Sequence, residues 1–94
     1  MTQGETIILR MLELRELYGY ELEKIIEHNK IRRWSDIGFS SIYHILNKLE
    51  KKGFVSSRKE KQPGAPARKV YSLLDDGRSS LTSETTRLIG APGD

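Results

Sequence analysis

Residues 40–53 read SSIYHILNKLEKKG, and this stretch decides the fold. Its apolar residues recur at i, i+3, i+4 and i+7, the spacing that puts side chains on one face of a helix. They are Ile42, Ile45, Leu46 and Leu49. Ser40 is a favourable N-cap for this helix, and Gly53 is a favourable terminator. The spacing therefore predicts an amphipathic helix over residues 40–52.

The opposite face of the predicted helix is polar and has no acidic residue at its centre. The candidate binding residues on or beside it are Ser40, Ser41, Tyr43, His44, Asn47, Lys48 and Lys51. A helix fits the major groove of B-DNA, where an amide such as Asn47 can pair with adenine and a lysine can meet guanine or phosphate. The serines suit a phosphate or a base. His44 suits DNA contact or solvation equally, and Tyr43 suits DNA contact or packing.

Two further helical patterns precede this stretch. Apolar residues recur at helical spacing over residues 6–17, which predicts a first helix. Gly19 interrupts the pattern, which resumes as a second, short helix over residues 20–29. The asparagine at its end tolerates the left-handed conformation common at helix ends. Residues 30–38 are predicted to be irregular, with Trp34 filling part of the core.

The residues after Gly53 predict a β-hairpin. A polar run over residues 56–61 leads to a loop at 62–67, which proline and glycine mark, and a strand over 68–74 follows. Between residues 40 and 71 there are eight basic residues and two acidic ones, a local net charge of +6 in a chain whose formal charge is +3. This suggests a surface facing a polyanion, with a solvated lysine-rich face as the alternative. The hairpin cations expected to reach DNA are Arg58, Lys59, Lys61, Arg68 and Lys69.

Asp75 and Asp76 open a last helix that runs through Leu81 towards Ile89, and their charges suit its positive end. The tail over 90–94 should fray. The order helix, helix, helix, hairpin, helix predicts a mainly α fold with a small β-hairpin, the winged helix-turn-helix, as one domain over residues 1–89. A domain this small has a modest core, so we expect a homodimer.

The composition argues against several classes of protein. The chain has no cysteine and only two histidines, which excludes disulfides and cysteine-ligated zinc and leaves little for a catalytic site. We therefore expect no enzyme activity and no cofactor. Charged residues make up 31% of the chain, too many for a membrane span, and the N-terminus lacks a secretory signal. A cytoplasmic protein without a membrane partner is expected.

Three blocks of sequence resemble the PadR family of transcriptional regulators. They are YGYEL at 18–22, SIYHILNKLEKKGFV at 41–55 and RKVYSL at 68–73, with Gly77 following. The resemblance implies a winged helix bound to an operator in double-stranded DNA, dimers docked through a C-terminal helix, and repression relieved by a small-molecule effector. It also implies that the second block is the recognition helix and that the third is the returning strand of the wing.

The chain departs from that family at two points. The family usually has threonine where this chain has Leu74, so Asp75 is expected to cap the last helix. Family members also continue into a longer C-terminal helical region, whereas this chain stops at Asp94. Either the chain is a truncated form, or its dimer is weaker or built differently.

The sequence therefore predicts a sequence-specific DNA-binding regulator that represses and responds to a ligand. The alternative is a winged-helix protein-interaction module without specific DNA binding, since fold does not fix function. RNA recognition is less favoured, because the chain lacks an array of exposed aromatic residues. Tyr20 suits either a phosphate contact or packing, and packing between the first three helices is favoured for Tyr18.

Overall fold

The computed structural model describes residues 1–31, 37, 42–61 and 63–89, with side chains described as far as residue 83. These residues form four helices and three strands. In chain order they are α1 (Gln3–Leu14), β1 (Leu17–Tyr18), α2 (Gly19–His28), α3 (Ile42–Lys51), β2 (Val55–Glu60), β3 (Arg68–Leu73) and α4 (Asp75–Ile89). The predicted mainly α fold with a β-hairpin, the winged helix-turn-helix, is confirmed. We call β2, β3 and the loop between them the wing.

The first helix begins and ends three residues earlier than the apolar pattern predicts. A capping box starts α1: Thr2 Oγ1 accepts from the Glu5 backbone N–H at 3.1 Å, and Glu5 Oε1 accepts from the Thr2 N–H at 2.8 Å. At the other end, Leu17 continues the apolar spacing but belongs to β1, where it pairs with Tyr71. The predicted bounds of 6–17 are wrong because local capping and sheet pairing override periodicity.

The second helix lies close to its predicted position. Glu21 Oε1 accepts the Tyr18 backbone N–H at 2.8 Å, which satisfies one N–H at the start of α2. The predicted end near Asn29 is confirmed, because this residue is the C-cap, but Asn29 does not take the left-handed conformation. Its φ is −93°, and its side-chain amide donates to the Ile25 carbonyl at 2.8 Å, whereas Lys30 takes the left-handed conformation with φ of 54°.

The predicted end of the third helix is confirmed. Gly53 has φ of +78°, its N–H donates to the Glu50 carbonyl at 3.0 Å, and the Phe54 N–H donates to the Leu49 carbonyl at 3.0 Å. Glycine suits this left-handed turn because it has no Cβ to clash. The predictions for Ser40, Trp34 and the tail at 90–94 lie outside the described residues.

The three strands form an antiparallel sheet in the order β1-β3-β2. In the hairpin, pairing runs from Val55 opposite Leu73 to Glu60 opposite Arg68. β1 pairs only Leu17 and Tyr18 with β3, at Tyr71 and Val70. The hairpin is confirmed, but sequence reasoning missed β1, because two residues are too few to show alternation.

One apolar core joins the helices to the sheet. The sheet contributes Leu17, Val55 and Tyr71, and the helices contribute Ile8, Leu9, Leu12, Leu22, Ile26, Ile42, Leu46, Leu49 and Leu81. Full burial of one such aliphatic or aromatic side chain is worth about 1.5–3 kcal/mol relative to exposure. This core holds α3 against the sheet and so sets the position of the wing relative to α3.

The last helix begins where predicted but is capped differently. The Leu74 carbonyl accepts the Arg78 N–H at 3.0 Å, so Leu74 occupies the capping position and Asp75 lies in the first turn. The prediction that Asp75 caps is therefore wrong. The Leu74 N–H donates to the Phe54 carbonyl at 2.9 Å, which fixes the start of α4 against the beginning of the wing.

Candidate nucleic-acid interface

The outer face of α3 is polar, as its periodicity predicts. Ile42, Leu46 and Leu49 are buried in the core. The exposed residues on the other side of the helix are Tyr43, His44, Asn47, Lys48 and Lys51. The structure therefore brings the predicted base-reading residues of this helix together on one accessible surface, apart from Ser40 and Ser41, which lie outside the described residues.

Tyr43 lies across the start of α2. A Cβ placed on Gly19 would lie 2.4 Å from Tyr43 Cε1, so the ring occupies the space that a side chain at position 19 would need. Burial of part of the ring raises the pKa of the Tyr43 hydroxyl, which therefore stays protonated and can donate a hydrogen bond. The absence of a side chain at Gly19 lets the first turn of α3 approach α2 closely.

The wing presents two of its lysines on the side that faces α3. Lys59 and Lys69 are directly opposite in the hairpin, so they share one face of the sheet. Ser57 lies two residues before Lys59, on the same face, and its hydroxyl donates to Glu50 of α3 at 2.8 Å. Both lysines are exposed. Like charges directly opposite in a sheet destabilise it, and a bound anion would relieve that repulsion.

The other face of the wing carries a network that ties it to the chain before β1. Both terminal nitrogens of Arg58 donate to the Glu16 carboxylate, each at 2.8 Å, and one also donates to Glu60 at 3.0 Å. The Tyr18 hydroxyl donates to Glu60 at 2.5 Å, and the Ser72 hydroxyl donates to Glu16. We call these five residues the wing clamp.

The wing clamp offsets the charge of Arg58 and keeps its two carboxyl groups ionised. Hydrogen bonds from Arg58 first, and from Ser72 second, lower the pKa of Glu16 from 4.5 to about 2. The hydrogen bond from Tyr18, followed by that from Arg58, lowers the pKa of Glu60. Arg58 is among the hairpin cations expected to reach DNA, and in the structure its guanidinium is engaged within the protein.

Arg68 is held differently from Arg58. Its guanidinium carbon lies 4.5 Å from the centre of the Tyr20 ring, and the Tyr20 ring stacks on Tyr18 with centroids 5.6 Å apart. Lys24 lies over the same ring at 5.5 Å. Tyr20 therefore packs and also supports a cation, a geometry compatible with both of its predicted roles. Tyr18 packs against Tyr20 and the wing, not between the first three helices.

One groove connects these parts of the molecule. Its volume is about 490 Å³, and it is lined by Gly19, Tyr20, Tyr43, Ala67, Arg68 and Lys69. These residues come from the start of α2, the first turn of α3 and the wing. The tyrosine hydroxyls can donate hydrogen bonds, and the two cations can pair with phosphate. Lys61, beyond the end of β2, is also exposed.

Lys52, the residue after α3, is paired with Glu5 of α1. Its ammonium contacts Glu5 Oε2 at 2.8 Å, and the Glu5 side chain is only 3% exposed. Burial raises the pKa of Glu5, but the hydrogen bond from Lys52, with those from Thr2, outweighs burial and leaves the pKa below 4.5. The number of basic residues in the sequence therefore overstates the number of cations available to a polyanion, since Arg58 and Lys52 are both paired with carboxylates.

Sequence reasoning missed the acidic partners Glu5, Glu16 and Glu60. They carry no periodic signal, and their partners Lys52, Arg58 and Tyr18 lie 47, 42 and 42 residues away along the chain. Among the side chains that the structure describes, no group of three or more His, Cys, Asp and Glu could hold a metal ion. Over the same residues, no helix combines the length and apolar character needed to span a bilayer.

Comparison with known proteins identifies the family. A family model, the transcriptional regulator PadR-like family, matches residues 8–83. The chain belongs to the PadR-like family. It is 34% identical over 74 residues to the negative transcriptional regulator PadR of Bacillus subtilis (strain 168), covering 79% of this chain and 40% of that relative. The predicted family is confirmed, and a family of transcriptional regulators agrees with the prediction that the chain is not an enzyme.

Solved structures of similar sequence share the fold. Bacillus subtilis PadR in complex with operator DNA superposes with a TM-score of 0.73 at 31% identity, over 86% of this chain and 45% of that one. A protein from Streptococcus mutans UA159 gives 0.78 at 33% identity, over 89% and 49%. A PadR family regulator from Clostridium difficile R20291 gives 0.68 at 27%, over 92% and 88%. This PadR-like chain therefore spans less than half the length of its Bacillus subtilis relative.

Proposed function

We propose that this chain binds double-stranded DNA with sequence specificity and regulates transcription as a repressor. The observation that carries the proposal is the single groove shared by Tyr43 of α3 and by Arg68 and Lys69 of the wing. A duplex with α3 in its major groove would bring its neighbouring phosphates to these wing cations. The Bacillus subtilis relative, bound to operator DNA and called a negative regulator, supports the same assignment.

In this proposal the outer face of α3 and the wing contact different parts of the DNA. Asn47, Lys48 and Lys51 read base edges or adjacent phosphates from the outer face of α3, where amide and ammonium groups match adenine and guanine. Lys59, Lys61 and Lys69 bind phosphates without regard to sequence. Arg68 joins them from its support on the Tyr20 ring. Specificity then comes from the helix, and much of the affinity comes from the wing.

We further propose that residues 1–89 act as one domain within a homodimer and that a small-molecule effector releases the DNA. Two copies of α3 would enter successive major grooves about 34–36 Å apart, on a pseudo-palindromic operator. The family membership supports this arrangement. The operator should therefore contain two related half-sites, each contacted by one copy of the chain.

The experiment is fluorescence anisotropy of the purified chain on duplexes from its own upstream region and on scrambled duplexes, across a salt series. The proposal expects tight binding to one upstream duplex, with two chains for each site, and an affinity that falls steeply with salt. Equal affinity for every duplex, or no binding at low salt, would overturn it.

A further inference from the structure

The part of the wing that carries the proposed phosphate contacts lacks the support of a third strand. β1 reaches only as far as Val70 along β3, so Lys69 and Arg68 pair with β2 alone, opposite Lys59 and Glu60. An isolated two-stranded hairpin is at best marginally stable in water, and two-stranded ribbons twist strongly. The direction of this segment therefore depends on contacts other than strand pairing.

The wing clamp lies at the point where the third strand ends. Arg58 is directly opposite Val70, which is the residue nearest the tip of the wing among those of β3 that pair with β1. From there Arg58 donates to Glu16, which precedes β1, and Glu60, two residues further along β2, accepts a hydrogen bond from the Tyr18 hydroxyl. The network thus ties the unsupported segment to the chain on either side of Leu17, a buried residue of the core.

We infer that Glu16 is a positioning residue for the wing, which acts through Arg58 to aim Lys59 and Lys69 at DNA. Because side chains alternate along a strand, holding Arg58 and Glu60 on one face keeps Lys59 on the other, the side that faces α3. This inference rests on the proposed DNA-binding function. Glu16 itself touches no DNA in this scheme.

Stability alone is a poor explanation of the clamp. Arg58 and Glu16 are 50% and 49% exposed, and exposed ion pairs of this kind contribute little to the free energy of unfolding. The bidentate arrangement of the guanidinium on the carboxylate does, however, specify direction, since two parallel hydrogen bonds fix both groups in one plane. Orientation is therefore the property that the clamp supplies.

The test measures DNA binding by the Glu16→Gln variant, because loss of charge and loss of wing positioning should change its affinity in opposite directions. Removing a negative charge from a DNA-binding protein should, through charge alone, tighten binding. Loss of wing positioning should instead weaken binding to every duplex about tenfold or more at 0.1 M salt and reduce the salt slope by about 2, for two lost phosphate contacts. The ratio of the affinity for the specific duplex to that for scrambled duplexes should stay the same, because α3 is unaffected. Global unfolding would instead abolish this ratio.

Glu13→Gln is the matched control. Glu13 also lies in the first seventeen residues and is also paired with an arginine, Arg10 at 2.9 Å, but it makes none of the clamp contacts. The Glu13→Gln variant should bind DNA as well as the parent chain or more tightly.

Tyr18→Phe removes the hydrogen bond to Glu60 with no change of charge and should shift the salt slope in the same direction as Glu16→Gln. Glu16→Gln binding that matches Glu13→Gln would overturn the inference.

A measurement without DNA separates this inference from the proposed function. In the free protein, ¹⁵N relaxation of the Lys59 and Lys69 amides should show increased motion in Glu16→Gln and not in Glu13→Gln. If the parent chain binds no duplex but these amides are more mobile in Glu16→Gln than in the parent chain, the proposed function fails and wing positioning stands. If the parent chain binds DNA and the amides of both variants match it, wing positioning fails and the proposed function stands.

Discussion

At the scale of single residues, the exposed face of α3 and the wing predict different consequences for similar substitutions. Asn47→Ala should lower affinity for the operator by about 1–3 kcal/mol and leave scrambled duplexes little changed, because only base pairing is lost. Lys51→Ala should likewise damage specific binding. Lys61→Ala should weaken every duplex alike and reduce the salt slope by about 1. Equal losses from all three variants on every duplex, measured by anisotropy, would contradict this division.

The effect of Gly19→Ala on the free energy of unfolding should depend on which residue occupies position 43. Gly19→Ala should destabilise the parent protein, because the new Cβ would lie 2.4 Å from Tyr43 Cε1 and must displace the ring. In a Tyr43→Ala background the same change should be neutral or stabilise by up to about 1 kcal/mol, since Gly19 has no positive φ and alanine favours helices. Urea unfolding of the four proteins in this cycle would measure the coupling, and additive effects would refute it.

At the scale of elements, Gly77 controls how α4 approaches the wing. A Cβ at position 77 would lie 2.4 Å from the Phe54 carbonyl oxygen, a backbone atom that cannot rotate away. Gly77→Ala should therefore lower the free energy of unfolding by about 1–3 kcal/mol despite the better helix propensity of alanine. Ser79→Ala, at an exposed position of the same helix, is the control and should be close to neutral. Thermal unfolding followed by circular dichroism would decide between these outcomes.

At the scale of the whole molecule, three carboxyl groups link folding to pH. The pKa values of Glu5, Glu16 and Glu60 are all lowered in the folded protein by their hydrogen-bond and ionic partners. A group whose pKa falls on folding contributes stability above its unfolded value near 4.5, and this stability is lost as pH falls through the folded value. We therefore expect the protein to lose stability steadily below about pH 5.

Glu5→Gln tests the buried member of that set. Glutamine should destabilise the protein at pH 7 by about 1–3 kcal/mol, because the Lys52 ammonium loses its carboxylate partner. Its loss of stability between pH 5 and pH 3 should be shallower than that of the parent chain, since one linked proton is gone. Urea unfolding at a series of pH values measures both effects. Parallel pH profiles would show that Glu5 is not linked to folding.

Much of the fold follows from local sequence. The spacing of apolar residues located α3, and Gly53 marked its end, because a helix face and a left-handed turn depend on residues within a few positions of one another. The hairpin and the start of α4 follow from similarly local signals. The exposed candidate residues of α3 follow too, since the side opposite an apolar stripe must face away from the core.

Only the tertiary structure decided which charged residues are available. Arg58 and Lys52 look like their basic neighbours in the sequence, yet their carboxylate partners lie 42 and 47 residues away, at Glu16 and Glu5. The strand β1 and the early end of α1 likewise depend on pairing with β3, far along the chain. Periodicity reports which face of an element is buried, but an ion pair between distant segments exists only once the core has brought those segments together.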